Sequence, residues 1–324
     1  MTQMNLVQAI NSALRGALRE DENVLLMGED LGTLGGVFRV TQGLREDFGP
    51  DRVLDTPLSE TGILGTAIGM ALHGLRPVSE IQFADFIYPG FDQLVSEAAK
   101  YRYRTAGEFH VPMVVRTPYG GGIRGGQYHS QSPEALFIHT PGLKVVCPSN
   151  PYDAKGLLLE AIADEDPVIF FEPKRVYRAV KMDVPETTYR VPLGEAKVVR
   201  PGEQVTCLAW GAMLYEAFTA AEEVAKEGVD VEVIDLRTLW PLDIETITSS
   251  VKKTGRVVIV HEAPRTCGFG GELVALITER AFLHLEAPPV RVTGWDTPFP
   301  LTHEREYLPL AHRIAPAILQ TARY

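Results

Sequence analysis

Two kinds of apolar patterning alternate along the chain. Short runs that are apolar almost throughout occur at NVLLMG (23–28), RVLD (52–55), PVSEIQF (77–83), PMVVRT (112–117), LKVVCP (143–148) and PVIFF (167–171). Between them lie stretches whose apolar residues recur every three to four positions. In 6–19 that stripe is Leu6, Ala9, Ile10, Ala13, Leu14 and Ala17; in 90–104 it is Phe91, Leu94, Val95, Ala98, Ala99 and Tyr101. The first kind predicts strands covered on both faces, hence a parallel sheet; the second predicts amphipathic helices at 6–19, 61–75, 90–104 and 151–163. The proline-marked stretch KMDVPETTYRVPL (181–193) reads as a linker. The alternation then resumes, with strands at VTCLAW, VDVEVIDL, RVVIVHE and VRVTGW and helices at 213–227, 242–252, 270–284 and 303–321. The pattern predicts an α/β fold of two doubly wound domains, spanning 1–185 and 186–324.

Composition narrows the function. A formal charge of -11 with no offsetting basic run argues against a nucleic-acid partner. No apolar stretch reaches the length of a membrane span, and the opening residues read as a helix rather than a signal peptide. A cytoplasmic location is expected, or the mitochondrial matrix for a mature eukaryotic form. Cys147, Cys207 and Cys267 are few, odd in number and far apart, which suits a reducing compartment and no thiolate zinc site.

Polar residues then cluster at strand ends. Glu29 and Asp30 follow the first strand, Leu58, Ser59 and Glu60 the second, Gln82, Asp85 and Phe86 the third. A loop with five glycines between Gly120 and Gly126, followed by His129, comes after the fourth. If these strands are parallel, all four segments lie at the carboxyl edge, where open α/β sheets bind ligands. Gly120, Gly122 and Gly125 also match G-x-G-x-x-G after a strand. A dinucleotide turn would need a helix at the last glycine and an acid at the end of the next strand; Gln127 and Tyr128 continue the loop, and LKVVCP leads to Ser149 and Asn150. A plain turn and a catalytic loop remain open for it. Glu60, at a helix entry, is either a capping carboxylate or an acid that exchanges a proton with a ligand nitrogen. His129 is either a structural histidine or a titrating group at the binding edge. DEDP (164–167) reads as a solvated acidic turn or a cation site, and HEAPRTCGFGGE (261–272) as helix capping and packing or an anion contact at a helix N-terminus.

Taken together, GEDLGTLGGVFRVTQGL, TPLSETGILGTAIGMAL, EIQFADFIYPGFDQLVSEAAKYRYR, YHSQSPEALF, DPVIFFEPK, VEVIDLRTLWPLD and HEAP resemble, in order and spacing, the beta subunit of the thiamin-diphosphate-dependent decarboxylating component of 2-oxo acid dehydrogenase complexes. The resemblance covers essentially the whole chain. It implies an N-terminal pyrimidine-binding domain and a transketolase-type C-terminal domain. It further implies an α2β2 heterotetramer with thiamin diphosphate held between the two kinds of chain. The alpha subunit would hold the diphosphate and magnesium through a Gly-Asp-Gly segment; the nearest string here, Gly28-Glu29-Asp30, departs from it.

By the same resemblance Glu60 matches the glutamate that shares a proton with the aminopyrimidine ring. Leu58, Gln82 and Phe86 match positions touching that ring; Phe86 stands where related chains often carry Tyr. His129 matches the histidine implied in acyl transfer to lipoamide. Glu29 matches an acidic connection between paired active sites, and Asp164 and Asp166 fall near a potassium site of some relatives. The motifs are most similar to the branched-chain members, implying branched-chain 2-oxo acids as substrates and a lipoyl-bearing dihydrolipoyl acyltransferase core as partner. A pyruvate-specific subunit and a non-catalytic structural subunit are the alternatives.

Overall fold

The computed structural model describes every residue from Met1 to Tyr324. The chain forms two compact units: Met1–Tyr119 with Leu136–Leu193, and Gly120–Ala135 with Gly194–Tyr324.

The first unit runs β1 (Thr2–Met4), α1 (Leu6–Glu20), β2 (Val24–Gly28), α2 (Leu44–Phe48), β3 (Val53–Asp55), α3 (Glu60–Leu72), β4 (Arg76–Glu80), α4 (Tyr101–Arg104), β5 (Val114–Tyr119), α5 (Glu134–Ile138), β6 (Lys144–Val146), α6 (Pro151–Ala163), β7 (Val168–Pro173) and β8 (Met182–Val184). Its main sheet orders six strands β6-β7-β5-β4-β2-β3, all neighbours parallel. Each expected apolar run before the linker is a strand of this sheet. The expected linker contributes β8, which pairs antiparallel with β1.

Local chemistry sets the helix starts. Asn5 and Gln8 form a reciprocal capping box at α1, each side chain accepting from the other's backbone N–H at 2.9 Å. Leu6, Val7, Ile10, Leu14 and Leu18 bury one face of α1, which packs along α6. Each such side chain is worth roughly 1.5–3 kcal/mol. Asn150 caps α6 through Asp153 N at 2.9 Å, with Pro151 in the first turn.

The helix expected over 90–104 is broken. A π-type turn at Gln93–Glu97 passes into a 3-10 turn at Ala98–Lys100 and then α4. The break coincides with the approach of Gly142 to the Ala99 carbonyl, so close that a Cβ on Gly142 would lie 1.9 Å from that oxygen.

The second unit runs β9 (Lys197–Arg200), β10 (Val205–Ala209), α7 (Met213–Ala225), β11 (Val231–Asp235), β12 (Thr238–Trp240), α8 (Ile244–Thr254), β13 (Val257–Pro264), α9 (Phe269–Ala281), β14 (Val290–Gly294), α10 (Glu304–Tyr307) and α11 (Ala311–Ala322). Five strands order β14-β13-β10-β11-β9, parallel except for the edge strand β9. The helix expected over 303–321 divides because Leu308 takes the extended conformation that a following proline imposes. No helix of the chain is long and apolar enough to cross a membrane.

Candidate active site

Parallel register puts three strand ends of the first unit at one level. Gly28 of β2 lies opposite Asp55 of β3 on one side and Glu80 of β4 on the other. The chain therefore leaves β2 at Glu29, β3 at Thr56 and β4 at Ile81 on the same edge. Gly28 is required there, since a Cβ would lie 2.6 Å from the Glu80 carbonyl.

Glu60 is the first residue of α3. Ser59 performs the capping: its hydroxyl accepts from Gly62 N at 3.3 Å. The Thr61 hydroxyl donates to Pro89 O at 2.6 Å, and a Cβ on Gly90 would lie 3.1 Å from Glu60 O, so the helix start is pinned against this loop. The N-cap is therefore Ser59, and Glu60, half-buried, is the acidic residue of the first turn, near the positive end of the helix. Burial, then the charges of Glu60 and Asp30, push the Glu29 carboxyl above its usual range. Leu58 is 79% exposed. Gln82 donates to Asp30 at 3.3 Å. The Phe86 ring meets Phe83 edge-on at 5.5 Å between centroids, Phe83 meets Phe38 at 5.6 Å, and Phe38 meets Tyr177 at 5.2 Å. The first unit thus brings Glu29, Leu58, Glu60, Gln82 and Phe86 to one edge.

Beneath that edge lies an ionic network spanning three adjacent strands. Arg116 of β5 donates to Glu80 of β4 at 2.8 Å and to Glu172 of β7 at 2.7 Å, with all three side chains buried. The Tyr177 hydroxyl donates to the other Glu172 oxygen at 2.5 Å. Burial raises the Glu80 carboxyl, with Arg116 opposing that rise. Glu172 and Glu80 together keep the Arg116 guanidinium charged despite its burial. The sequence signal is a charged residue inside β5 and β7, Arg116 and Glu172, and an acid closing β4, Glu80.

His129 lies on the glycine loop, which belongs to the second unit. Gly120, Gly122, Arg124 and Gly126 all have positive φ, turning successive backbone N–H groups inward as in an anion-binding nest. Protein carboxylates fill it. Glu262, on β13, accepts from Gly121 N at 2.8 Å; Glu304, on α10, accepts from Gly122 N and, at 3.0 Å, from Arg124 N. A phosphate cradle is thereby ruled out, and with it the dinucleotide reading of the loop. Both arms are tied by Gly120 N donating to Gln131 O at 3.0 Å. Glu134, five residues beyond His129, is fully buried; burial pushes its carboxyl up to about 8, with nearby Glu262 adding to the rise and Trp210 opposing it. These three glutamates were not singled out in the sequence, because their partners are remote in the chain.

His261 of the HEAP segment is buried, stacks on Trp210 at 5.4 Å, and is driven down to about 3 mainly by burial. A Cβ on Gly268 or Gly270 would lie 2.7 Å from its ring. This packing supports the structural reading of the segment. At the acidic turn, Lys144 bonds both Asp164 oxygens at 2.7 and 2.6 Å, and Arg102 meets Asp166 at 2.7 Å. Arg76 takes the carbonyls of Ile162 and Asp164, each at 3.1 Å. These two carboxylates and two carbonyls are thus paired with protein cations in this chain.

Residues 2–180 match the family described as transketolase, pyrimidine binding domain, and residues 194–314 match transketolase, C-terminal domain. The 2-oxoisovalerate dehydrogenase subunit beta of Pseudomonas aeruginosa is 55% identical, covering 98% of this chain and 94% of its own length. The mitochondrial 2-oxoisovalerate dehydrogenase subunit beta of Dictyostelium discoideum is 56% identical over 95% of this chain and 83% of its own. The pyruvate dehydrogenase beta subunit of Acholeplasma laidlawii is 51% identical over 100% and 99%. Among solved structures, a split-gene transketolase described as an inactive beta4 tetramer superposes with a TM-score of 0.81 at 22% identity, covering 99% of this chain and 98% of its own, a likeness of fold. The chain belongs to the family of beta subunits of the decarboxylating component of 2-oxo acid dehydrogenase complexes, built from transketolase pyrimidine-binding and C-terminal domains.

Proposed function

We propose that this chain is a catalytic beta subunit that works with an alpha subunit, in an α2β2 assembly, on branched-chain 2-oxo acids and passes the acyl group to a lipoyl-bearing acyltransferase core. The observation that carries the reading is Glu60: an uncapped carboxylate in the first turn of α3, beside exposed Leu58, on the edge that also carries Gln82 and Phe86. That donor and apolar set suits the aminopyrimidine of thiamin diphosphate, with Glu60 sharing a proton with a ring nitrogen while Leu58 and Phe86 contact the ring. Bound thiamin diphosphate supplies the electron sink for decarboxylation. Burial, then the charges of Glu60 and Asp30, favour the protonated form of Glu29 at this edge. Magnesium belongs with the diphosphate on the alpha chain. His129, on its clamped loop, is the proton donor to the lipoyl sulfur.

The branched-chain assignment follows the 2-oxoisovalerate dehydrogenase relatives at 55% and 56% identity; the pyruvate dehydrogenase relative at 51% supports pyruvate as the second reading. Co-expression with an alpha chain and comparison of 4-methyl-2-oxopentanoate with pyruvate decides between them, and a higher kcat/KM on pyruvate overturns the first. Glu60→Gln is expected to abolish carbon dioxide release while the tetramer still forms. Near-normal release from that tetramer would instead make the chain a structural subunit.

A further inference from the structure

A loop of alternating left-handed residues leaves a row of amides without sheet partners, and glycine makes the row costly to order. In this chain the row is satisfied from within, by two carboxylates that are themselves almost wholly buried: Glu262 is 5% exposed and Glu304 7%. Glu262 binds Gly121 N; Glu304 spans Gly122 N and Arg124 N with its two oxygens. Such charge-assisted bonds are about twice as strong as neutral ones. Apolar contacts complete the grip. A Cβ on Gly121 would lie 2.7 Å from the Phe299 ring, and one on Gly126 would lie 3.4 Å from Leu301 Cδ1.

The gripped segment is coupled directly to His129. A Cβ on Gly125 would lie 2.6 Å from His129 Cβ and 3.0 Å from its carbonyl, so the loop folds back onto the histidine with no room between. Movement of 121–124 is passed to His129 through Gly125 and through the Gly120–Gln131 bond.

We infer that Glu304 and Glu262 are positioning residues for acyl transfer: they fix the backbone of the loop that carries His129 and so set where its imidazole meets the lipoyl sulfur. The inference rests on the reading of His129 given above and adds the groups through which that residue is held. Neither glutamate touches the reacting atoms. Glu304 is the cleaner test, because a glutamine there keeps one acceptor and turns the other oxygen into an N–H donor that faces an amide N–H.

The test uses the assembled α2β2 protein and measures two half-reactions. One is 2-oxo acid oxidation with an artificial electron acceptor, which bypasses the lipoyl group; the other is acylation of an isolated lipoyl domain. For Glu304→Gln, kcat for lipoyl acylation falls about ten-fold or more while the artificial-acceptor rate falls less than about three-fold. Amide hydrogen exchange over 121–126 speeds up by about ten-fold in the same variant. Equal losses in the two half-reactions, or exchange as slow as in the unmodified protein, overturns the inference. Leu301→Ala guards against misfolding, since Leu301 is 58% exposed and its Cδ1 would lie 3.4 Å from a Cβ on Gly126. A smaller loss confined to lipoyl acylation supports the inference; no selective loss in a tetramer that assembles overturns it. His129→Ala runs alongside. If it depresses both half-reactions equally, the role given to His129 fails, and the clamp is then judged by exchange over 121–126 alone.

Discussion

Glu134→Gln offers the sharpest energetic test of the second unit. The folded carboxyl sits at about 8 against an ordinary value of 4.5, chiefly because it is fully buried, with Glu262 nearby as a second cause. Between those values the folded chain holds a proton that the unfolded chain has released. Stability contributed by the neutral carboxyl is therefore complete below pH 4.5 and is lost as pH rises toward 8. Linkage over this window gives a loss of about 4 kcal/mol between pH 5 and pH 9. Glutamine has nearly the same shape and no proton to lose, so this part of the pH dependence disappears in the variant. Glutamine keeps one oxygen to accept the hydrogen bonds from Trp210 and from the residue's own backbone that oppose the rise.

The assay is the melting temperature of both proteins at matched ionic strength from pH 5 to pH 9. At about 2.1 cal/mol/K per residue, 4 kcal/mol corresponds to about 6 °C if the whole chain melts together and about 13 °C if the second unit melts alone. The unmodified protein should lose that much relative to Glu134→Gln as pH rises. Curves that stay parallel across the range refute the reasoning, because they would mean that Glu134 titrates like an exposed carboxyl. The same ionisation matters for the loop, since a charged Glu134 would repel Glu262, the acceptor of the Gly121 amide.

Other perturbations probe the first unit. Arg116→Met strands Glu80 and Glu172 in the core and is expected to cost about 3–5 kcal/mol by denaturant titration, with stability recovered when Glu80→Gln and Glu172→Gln are added. Tyr177→Phe removes the donor to Glu172 and should cost about 1.5–3 kcal/mol; a loss under half a unit would show that water replaces the bond. Gly28→Ala forces a Cβ into the Glu80 carbonyl, and a fall in melting temperature equivalent to about 1–3 kcal/mol is expected.

What the sequence disclosed and what it withheld follow from range. Ten strands were legible because a parallel strand covered on both faces is apolar almost throughout, as in Val24–Gly28 and in 168–171 of β7. The elements it did not disclose are short or lie at an edge: β1, β8 and β12 have three residues each, and β9 is an exposed antiparallel edge strand. Glu29, Leu58, Glu60, Gln82 and Phe86 were placed by one rule, that parallel strands deliver their ends to one edge, and the register of Gly28 with Asp55 and Glu80 obeys it. The competing cap at Ser59 shows how adjacent polar residues divide the work: the shorter side chain closes onto Gly62 N and releases the longer one. Glu304 could not be read this way. It meets Gly122 from 182 positions away, and no local pattern marks a carboxylate whose partners are amides brought to it by the fold.

The two units solve the problem of buried charge differently, and the difference bears on function. In the first, Glu80 and Glu172 are balanced by Arg116, and the network sits beneath the edge that carries Glu60. Breaking any partner there leaves a charge uncompensated, so rigidity is enforced by a large penalty. In the second, Glu262 and Glu304 are matched by backbone amides of a glycine-rich segment. Two almost wholly buried carboxylates hold three loop amides, so the loop is fixed by side chains remote in the chain. On the proposed reading, the triad keeps the edge that carries Glu60 rigid for decarboxylation, and the carboxylate-to-amide clamp fixes the loop that carries His129 for acyl transfer.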